Sequence, residues 1–311
     1  MKKEGLNAYK LLTIILITLC WNTTSTLLNA RNFTYPLNRT LDSSSLTTPE
    51  NDKKKEKKVK DKPENRKRKS SKKITFESFD VNYQRAMKYY EKSQYLSAAK
   101  LFEELYPLSF GTPLADTILF SFANCYFQNR DYQMAAFHFK DYTRKYPGTT
   151  RTEDAAFKCV TSIYNLSPDY TLDQFETYYA LDELNLFAQT YPRSVHKDEC
   201  NRMLDELWDK LAKKDFEIFK LYYYTEHYQA AQIASRNFLR EHSSSKYVDE
   251  SLYILIQSNL KYAKKSIASK KRERFLQCID AYETLMAHYP NSQYIEKSRT
   301  FVDEARKNLE R

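Results

Sequence analysis

The spacing of one recurring phrase limits this chain to a narrow set of folds. In Tyr132, Ala135, Phe139, Tyr142 and Tyr146-Pro147 an aromatic residue leads to a small one, two apolar ones, a second aromatic and a proline. Steps of three or four residues put these side chains on one face of a helix. Ala135 on that face leaves room for another backbone, Pro147 cannot continue the hydrogen-bond ladder, and Gly148 suits a turn. The frame returns at Ala180, Leu184, Phe187 and Tyr191-Pro192, and at Phe275, Cys278, Tyr282, Leu285 and Tyr289-Pro290. Around residue 228 it reads Tyr228, Ala231, Phe238, His242 and Ser243, without the proline. At Tyr95, Ala98, Phe102, Leu105 and Tyr106-Pro107 it ends about one turn early. Five copies at fixed internal spacing are a repeat architecture.

A second apolar stripe precedes each copy. Leu119, Phe122, Ala123 and Tyr126 lie ahead of Tyr132; Phe157, Val160, Thr161 and Tyr164 precede the third copy. Ala86 and Tyr89 stand before Tyr95, and Phe219 and Tyr222 before Tyr228. Each unit is therefore expected to be two antiparallel helices joined by a short turn such as "QNRD" or "TEH". These units resemble the tetratricopeptide repeat, which carries W-x2-L-G-x2-Y on its first helix and A-x3-F…P on its second. The proline-to-proline intervals of 40, 45 and 98 residues (the last covering two units) exceed the usual period, which is about 34. Several helices must then be longer than the minimum, and Val195 to Tyr224 reads as one uninterrupted helix bridging units three and four. The fold class that follows is all-α: a solenoid of about five helix pairs over residues 75–311, after a signal segment at 1–20 and a disordered linker at 21–74.

Composition narrows the chemistry. Three glycines in 311 residues imply few tight turns, and 26 tyrosines imply much aromatic packing. No glycine-rich phosphate loop and no paired His or Cys metal spacing occurs. The five histidines stand singly, so the sequence offers no catalytic residue, no metal site and no cofactor. Cys125, Cys159, Cys200 and Cys278 fall inside helical patterns without the spacing of a disulfide framework and read as buried small hydrophobes. The net charge of +10 sits in the linker: residues 52–73 hold thirteen basic and four acidic residues, whereas residues 74–311 hold 32 basic and 33 acidic. A body so near neutrality excludes nucleic acid as its partner.

The N-terminus reads as an export signal. Lys2, Lys3 and Lys10 precede a mainly apolar core of nine residues, Leu11 to Leu19, too few for a bilayer span of about 20. Ile17-Thr18-Leu19-Cys20 resembles the lipobox of bacterial lipoproteins at its first two places and departs from it at Leu19. Cys20 is the lipidation candidate; the alternatives are an ordinary signal cleaved further along, or one left uncut. The linker is Ser/Thr/Asn-rich and then Lys-rich, a solvated spacer or a tail held near an anionic surface.

With its lipoprotein-like start and lengthened repeats, the chain resembles the BamD family, helical lipoproteins of the outer-membrane β-barrel assembly machinery. The match is carried by "YLSAAKLFEELYP", "YQMAAFHFKDYTRKYP", the wide third turn in "SPDYTLDQFETYYALDELNLFAQTYPRS", "KLAKKDFEIFKLYYYTEHYQAAQIASRNFLREH" and "LKYAKKSIASKKRERFLQCIDAYETLMAHYPNS". The resemblance implies the periplasmic face of an outer membrane, unfolded outer-membrane proteins as clients, and contact with the POTRA domains of the barrel-forming subunit. A long Lys-rich linker departs from the family. First-helix residues line the groove of a solenoid, so Tyr83, Met87 and Tyr90 of unit one and Phe120, Asn124, Phe127 and Gln128 of unit two are the candidate peptide groove. The competing reading places the same rings in the inter-repeat core. A repeat adaptor of another envelope complex, or a peptidoglycan-associated structural protein, remains the alternative function.

Overall fold

The computed structural model describes residues 74–310; the expected signal segment, the candidate acyl site Cys20 and all but the last residue of the linker lie outside the described residues. Eleven α-helices and two short 3-10 turns form the described part, with no strand among the described residues. The helices pair in sequence: α1 (Phe79–Glu91) with α2 (Tyr95–Leu105), α3 (Ala115–Gln128) with α4 (Tyr132–Lys145), and α5 (Thr152–Leu166) with α6 (Phe175–Thr190). Next come α7 (Lys197–Tyr224) with α8 (Tyr228–Glu241), and α9 (Val248–Lys264) with α10 (Ala268–His288). An unpaired α11 (Tyr294–Leu309) ends the series. Helices pack against the next helix or the next but one, the nearest-neighbour pattern of a solenoid. No described helix is long and apolar enough to cross a membrane.

The repeated frame is the core. Ala135, Phe139 and Tyr142 are fully buried, as are Ala98, Phe102 and Leu105 in α2 and Ala180 and Leu184 in α6. Ala231 and Phe238 in α8, and Cys278 and Leu285 in α10, take the same places. Each buried Phe or Leu contributes about 1.5–3 kcal/mol relative to an exposed one. All four described cysteines are free and buried. Burial pushes the thiols of Cys125, Cys159 and Cys278 up to about 12, and that of Cys200 to about 11.

The long helix α7 runs for 28 residues, as the uninterrupted pattern before Tyr224 predicts. Its first half gives Cys200, Met203, Leu207 and Leu211 to a core cluster that begins at Ala86. Its second half gives Ala212, Phe216, Phe219 and Tyr223 to a second cluster that ends at Ala305. One continuous helix thus carries the boundary between two cores.

Two expectations need correction. Tyr222, expected inward beside Phe219, is exposed, and Tyr223 is buried in its place. Phe216 packs against Phe238 and stacks on Tyr247 at 5.1 Å, while the Tyr223 hydroxyl donates to Gln257 Oε1 at 3.0 Å. Those contacts turn the buried face of α7 toward 216, 219 and 223.

Few glycines do not mean few tight turns. Ser93, Arg130 and Glu226, each two residues before a turn tyrosine, adopt φ of 58°, 61° and 62°. In all three the following N–H reaches back five residues, from Gln94 to Tyr89 O, Asp131 to Tyr126 O, and His227 to Tyr222 O, at 2.9 Å each. This is the Schellman closure, which normally places glycine at the left-handed position. Here the closing hydrogen bonds and the packing of the paired helices offset the steric cost to an ordinary side chain.

The five expected pairs are followed by one further helix. α11 carries no copy of the frame, but it buries Ser298, Val302 and Ala305 against α9 and α10, and Tyr294 stacks on Tyr253 at 4.9 Å. It covers the face that a sixth unit would otherwise cover, which is the role of a capping helix.

Candidate functional site

The candidate groove residues project from α1 and α3, the first helices of units one and two. Tyr83 is half-buried and stacks on Phe79 at 6.5 Å, and Met87 is half-buried against the first core. Tyr90 lies edge-on to Tyr95 at 5.5 Å. Phe120 meets Phe139 and Tyr142 edge-on at 5.7 and 5.6 Å, and Phe127 meets Tyr132 and Phe139 at 6.0 and 6.3 Å. Gln128 is exposed at the end of α3. The rings are therefore anchored on the core by one edge and half open on the other.

Asn124 joins this face into one network. Only 7% of it is exposed. Its Nδ2 donates to the Tyr90 hydroxyl, and its Oδ1 accepts from Lys158 Nζ at 2.6 Å. Tyr90, Asn124 and Lys158 are spaced by 34 residues each, about one helical turn less than the 37 and 38 residues that separate Ala86 from Ala123 and Leu119 from Phe157. The first helices of three successive units are thus tied across one face by a phenol, an amide and an ammonium.

Lys158, on α5, is the member that sequence reasoning misses. Its ammonium lies 5.1, 5.7 and 5.9 Å from the ring centroids of Phe120, Phe127 and Phe139. Ring faces attract a cation through their quadrupole. Desolvation holds this lysine below its ordinary pKa, opposed only by the more distant charge of Asp154. Beside it, Arg151 stands 5.9 Å from the Phe120 centroid, donates to Thr117 Oγ1 at 2.7 Å and pairs with Asp116 at 3.6 Å. Burial also pushes the Tyr90 phenol up, against the Asn124 hydrogen bond. A signal for Lys158 is present in the sequence. Phe120 follows the stripe residue Leu119, and Lys158 follows the equivalent Phe157, so the groove frame extends into unit three.

A second feature lies between α7 and α8, a cleft of about 390 Å³ lined by Ile218, Tyr222, Ile233 and Ala234 on its apolar side. At its rim Asp215, Glu241 and His242 each place one ligand atom within 4.8 Å of the others. His242 Nε2 lies 2.8 Å from Asp215 Oδ2, and Arg240 pairs with Glu241 at 2.9 Å. The His242–Asp215 contact ties the end of α8 to the middle of α7.

Known proteins now place the chain. No curated protein sequence matches it. Among solved structures, the TPR domain of P58(IPK) aligns with 75% of this chain and 66% of its own length, at 14% identity and a TM-score of 0.36. The chain thus spans just under two thirds of that structure. The family described as "YfiO: Outer membrane lipoprotein" matches residues 77–236 and again residues 218–311. Those two matches together cover more than three quarters of the sequence, and this chain belongs to the YfiO family of outer-membrane lipoproteins.

Proposed function

We propose that the chain is a non-enzymatic adaptor of outer-membrane β-barrel assembly, acting at the periplasmic face of the membrane. Units one to three receive extended C-terminal segments of unfolded barrel proteins, and units four and five dock on the POTRA domains of the barrel-forming subunit. Acylated Cys20 anchors it; the intact mass of the mature protein tests that point, and a mass lacking the acyl chains with Leu19 still attached counts against it.

The observation that carries this reading is the half-open aromatic face across α1 and α3, held in place by the Tyr90–Asn124–Lys158 network. Barrel strands alternate aromatic and polar side chains, and an extended segment needs both ring surface and amide partners for its backbone. Phe120, Phe127 and Tyr90 supply the first, and Gln128 supplies the second. Family membership supports an outer-membrane setting, in which such segments occur.

The test is the double variant Tyr90→Ala with Phe127→Ala. Loss of one hot-spot aromatic costs about 2 kcal/mol or more, so affinity for barrel-derived peptides should fall at least about tenfold. Far-UV circular dichroism monitors folding, because both rings also touch the core. A folded double variant that binds such peptides as tightly as the parent chain overturns the groove.

A further inference from the structure

The connection from α9 to α10 breaks two local rules of helix formation. Ile267 is the N-cap of α10, makes no capping hydrogen bond, and is 71% exposed. A branched apolar residue is among the poorest choices for that position. The turn that follows begins with Lys270 and Lys271, holds no acid, and runs into Arg272. Seven of the ten other described helices put an acid in their first turn, and α7 and α9 put two there. Cations at a helix N-terminus oppose the macrodipole. Neither departure serves the fold, and such departures gather where a surface has another task.

The same turn concentrates positive charge. Residues 261–274 hold seven cations and one acid, although residues 74–311 are near balance as a whole. Glu304, Glu226 and Glu273 pair with Lys264, Lys265 and Lys270 at 2.5, 2.5 and 3.1 Å, all between exposed side chains. Three carboxylates against seven cations leave the turn positive. Its shape is held by Arg274, which stacks on the Tyr262 ring at 3.6 Å and donates to the Tyr262 hydroxyl at 2.8 Å and to Ser266 Oγ. Ser266 is thereby tied to both helices, and Ile267 after it stays in solvent.

We infer that the α9–α10 turn rests on an anionic lipid surface. Ile267 enters the boundary between headgroups and acyl chains, and Lys264, Lys270, Lys271 and Arg272 face the lipid phosphates. This contact is separate from the peptide groove and from an acyl anchor at Cys20. An exposed apolar side chain with lysines on both sides in sequence suits a layered partner, charged outside and apolar beneath. Electrostatic attraction to anionic lipid and a small inserted apolar area then act together. No described helix can cross a membrane, so the contact is with its surface. Membership of an outer-membrane lipoprotein family supports a membrane nearby.

The Lys-rich linker can hold a vesicle by itself, so the experiment reads the turn locally. Ile267→Trp is made in the full chain and mixed with vesicles of phosphatidylglycerol and phosphatidylcholine in equal parts, or of phosphatidylcholine alone. On the anionic vesicles its emission should shift to the blue and be quenched by brominated lipid, beyond any change in the parent chain, whose tryptophans are Trp21 and Trp208. On phosphatidylcholine alone neither change should occur, and added salt should reverse both. Lys271→Glu with Arg272→Glu, placed in the same background, should abolish the response. The two new acids agree with the helix dipole, so the melting temperature should not fall, and this separates a lost surface contact from a damaged helix.

A tryptophan at position 267 that does not respond to anionic vesicles overturns the inference. So does an equal response on phosphatidylcholine alone, or a response that survives the charge reversal. A response to soluble polyglutamate without one to vesicles shows that the turn meets an acidic protein surface, and this too overturns it.

Discussion

Ala135 has no exposed surface, and neither do its equivalents Ala98, Ala180, Ala231 and Cys278. Every second helix therefore buries a small residue at the same step, which leaves room there for a helix crossing. Ala135→Leu should overpack that crossing and cost about 1–3 kcal/mol. A urea denaturation midpoint unchanged by the substitution would show that the frame was drawn on the wrong face. Three residues further along, His138 packs against Phe122 at 4.4 Å and Tyr126 at 5.3 Å, and its Nε2 has no hydrogen-bond partner. Burial holds its pKa below the ordinary histidine value, although Asp141, Glu103 and Asp131 pull the other way. The unfolded chain then binds the proton more readily than the folded one. Stability is retained above the unfolded pKa of about 6.5 and declines as the pH falls below it. The melting temperature should drop between pH 7.5 and pH 5.5, and by less in His138→Phe; equal drops in both chains would exclude His138 as the cause.

At the scale of elements, the wide connection between α5 and α6 behaves as a built part and not as slack. Gln174 is buried; its Nε2 donates to Asp169 O and Leu172 O at 2.8 and 3.0 Å, and its Oε1 accepts from Thr177 at 2.7 Å. Three lysines of α7 hold the same loop from outside: Lys210 donates to Ser167 Oγ at 2.7 Å, Lys214 to Leu172 O, and Lys213 stands 4.1 Å from the Tyr170 ring centroid. Gln174→Ala leaves two carbonyls and a threonine hydroxyl short of partners and should cost about 1–3 kcal/mol. An unchanged denaturation midpoint would mean that water takes over these bonds. The lysine half of this network is illegible in sequence because its partners are far apart along the chain: 43 residues for Lys210 and Ser167, and 42 for Lys214 and Leu172. What is legible is local. The helix pairs follow from steps of three and four residues closed by a proline, and the long α7 follows from the lack of any stop before Tyr224. α11 escapes the frame because a cap needs one apolar face and no turn tyrosine, and the Schellman turns escape it because glycine is only their usual residue, not their cause. Of the site, Asn124 and its rings are visible from the frame, and Lys158 becomes visible only once a third unit is laid over the first two.

At the scale of the molecule, α7 makes two cores into neighbours that share a single helix, with Leu211 in one and Ala212 in the other. The proposed peptide groove draws on the first core and leaves the second free for a different partner. The side chains around that second core fit such a role. Ile218, Leu221, Tyr222 and Ile233 are exposed on α7 and α8, and three of them line the cleft between these helices. Exposed apolar groups gathered at a cleft are the usual mark of a contact surface. Ile233 is 53% exposed and makes a sharp test. Burying an isoleucine at an interface is worth about 1.5–3 kcal/mol, so Ile233→Glu should weaken retention on the barrel-forming subunit at least about tenfold. The substitution removes no core contact, and the melting temperature should stay within the narrow range usual for surface changes. Leu276→Glu, on the exposed face of α10 in unit five, applies the same test to the other half of the proposed docking surface. Loss with Ile233→Glu alone confines docking to unit four, and loss with Leu276→Glu alone confines it to unit five. Full retention by both folded variants removes units four and five from the interface, while the groove on the first core would stand or fall on its own peptides.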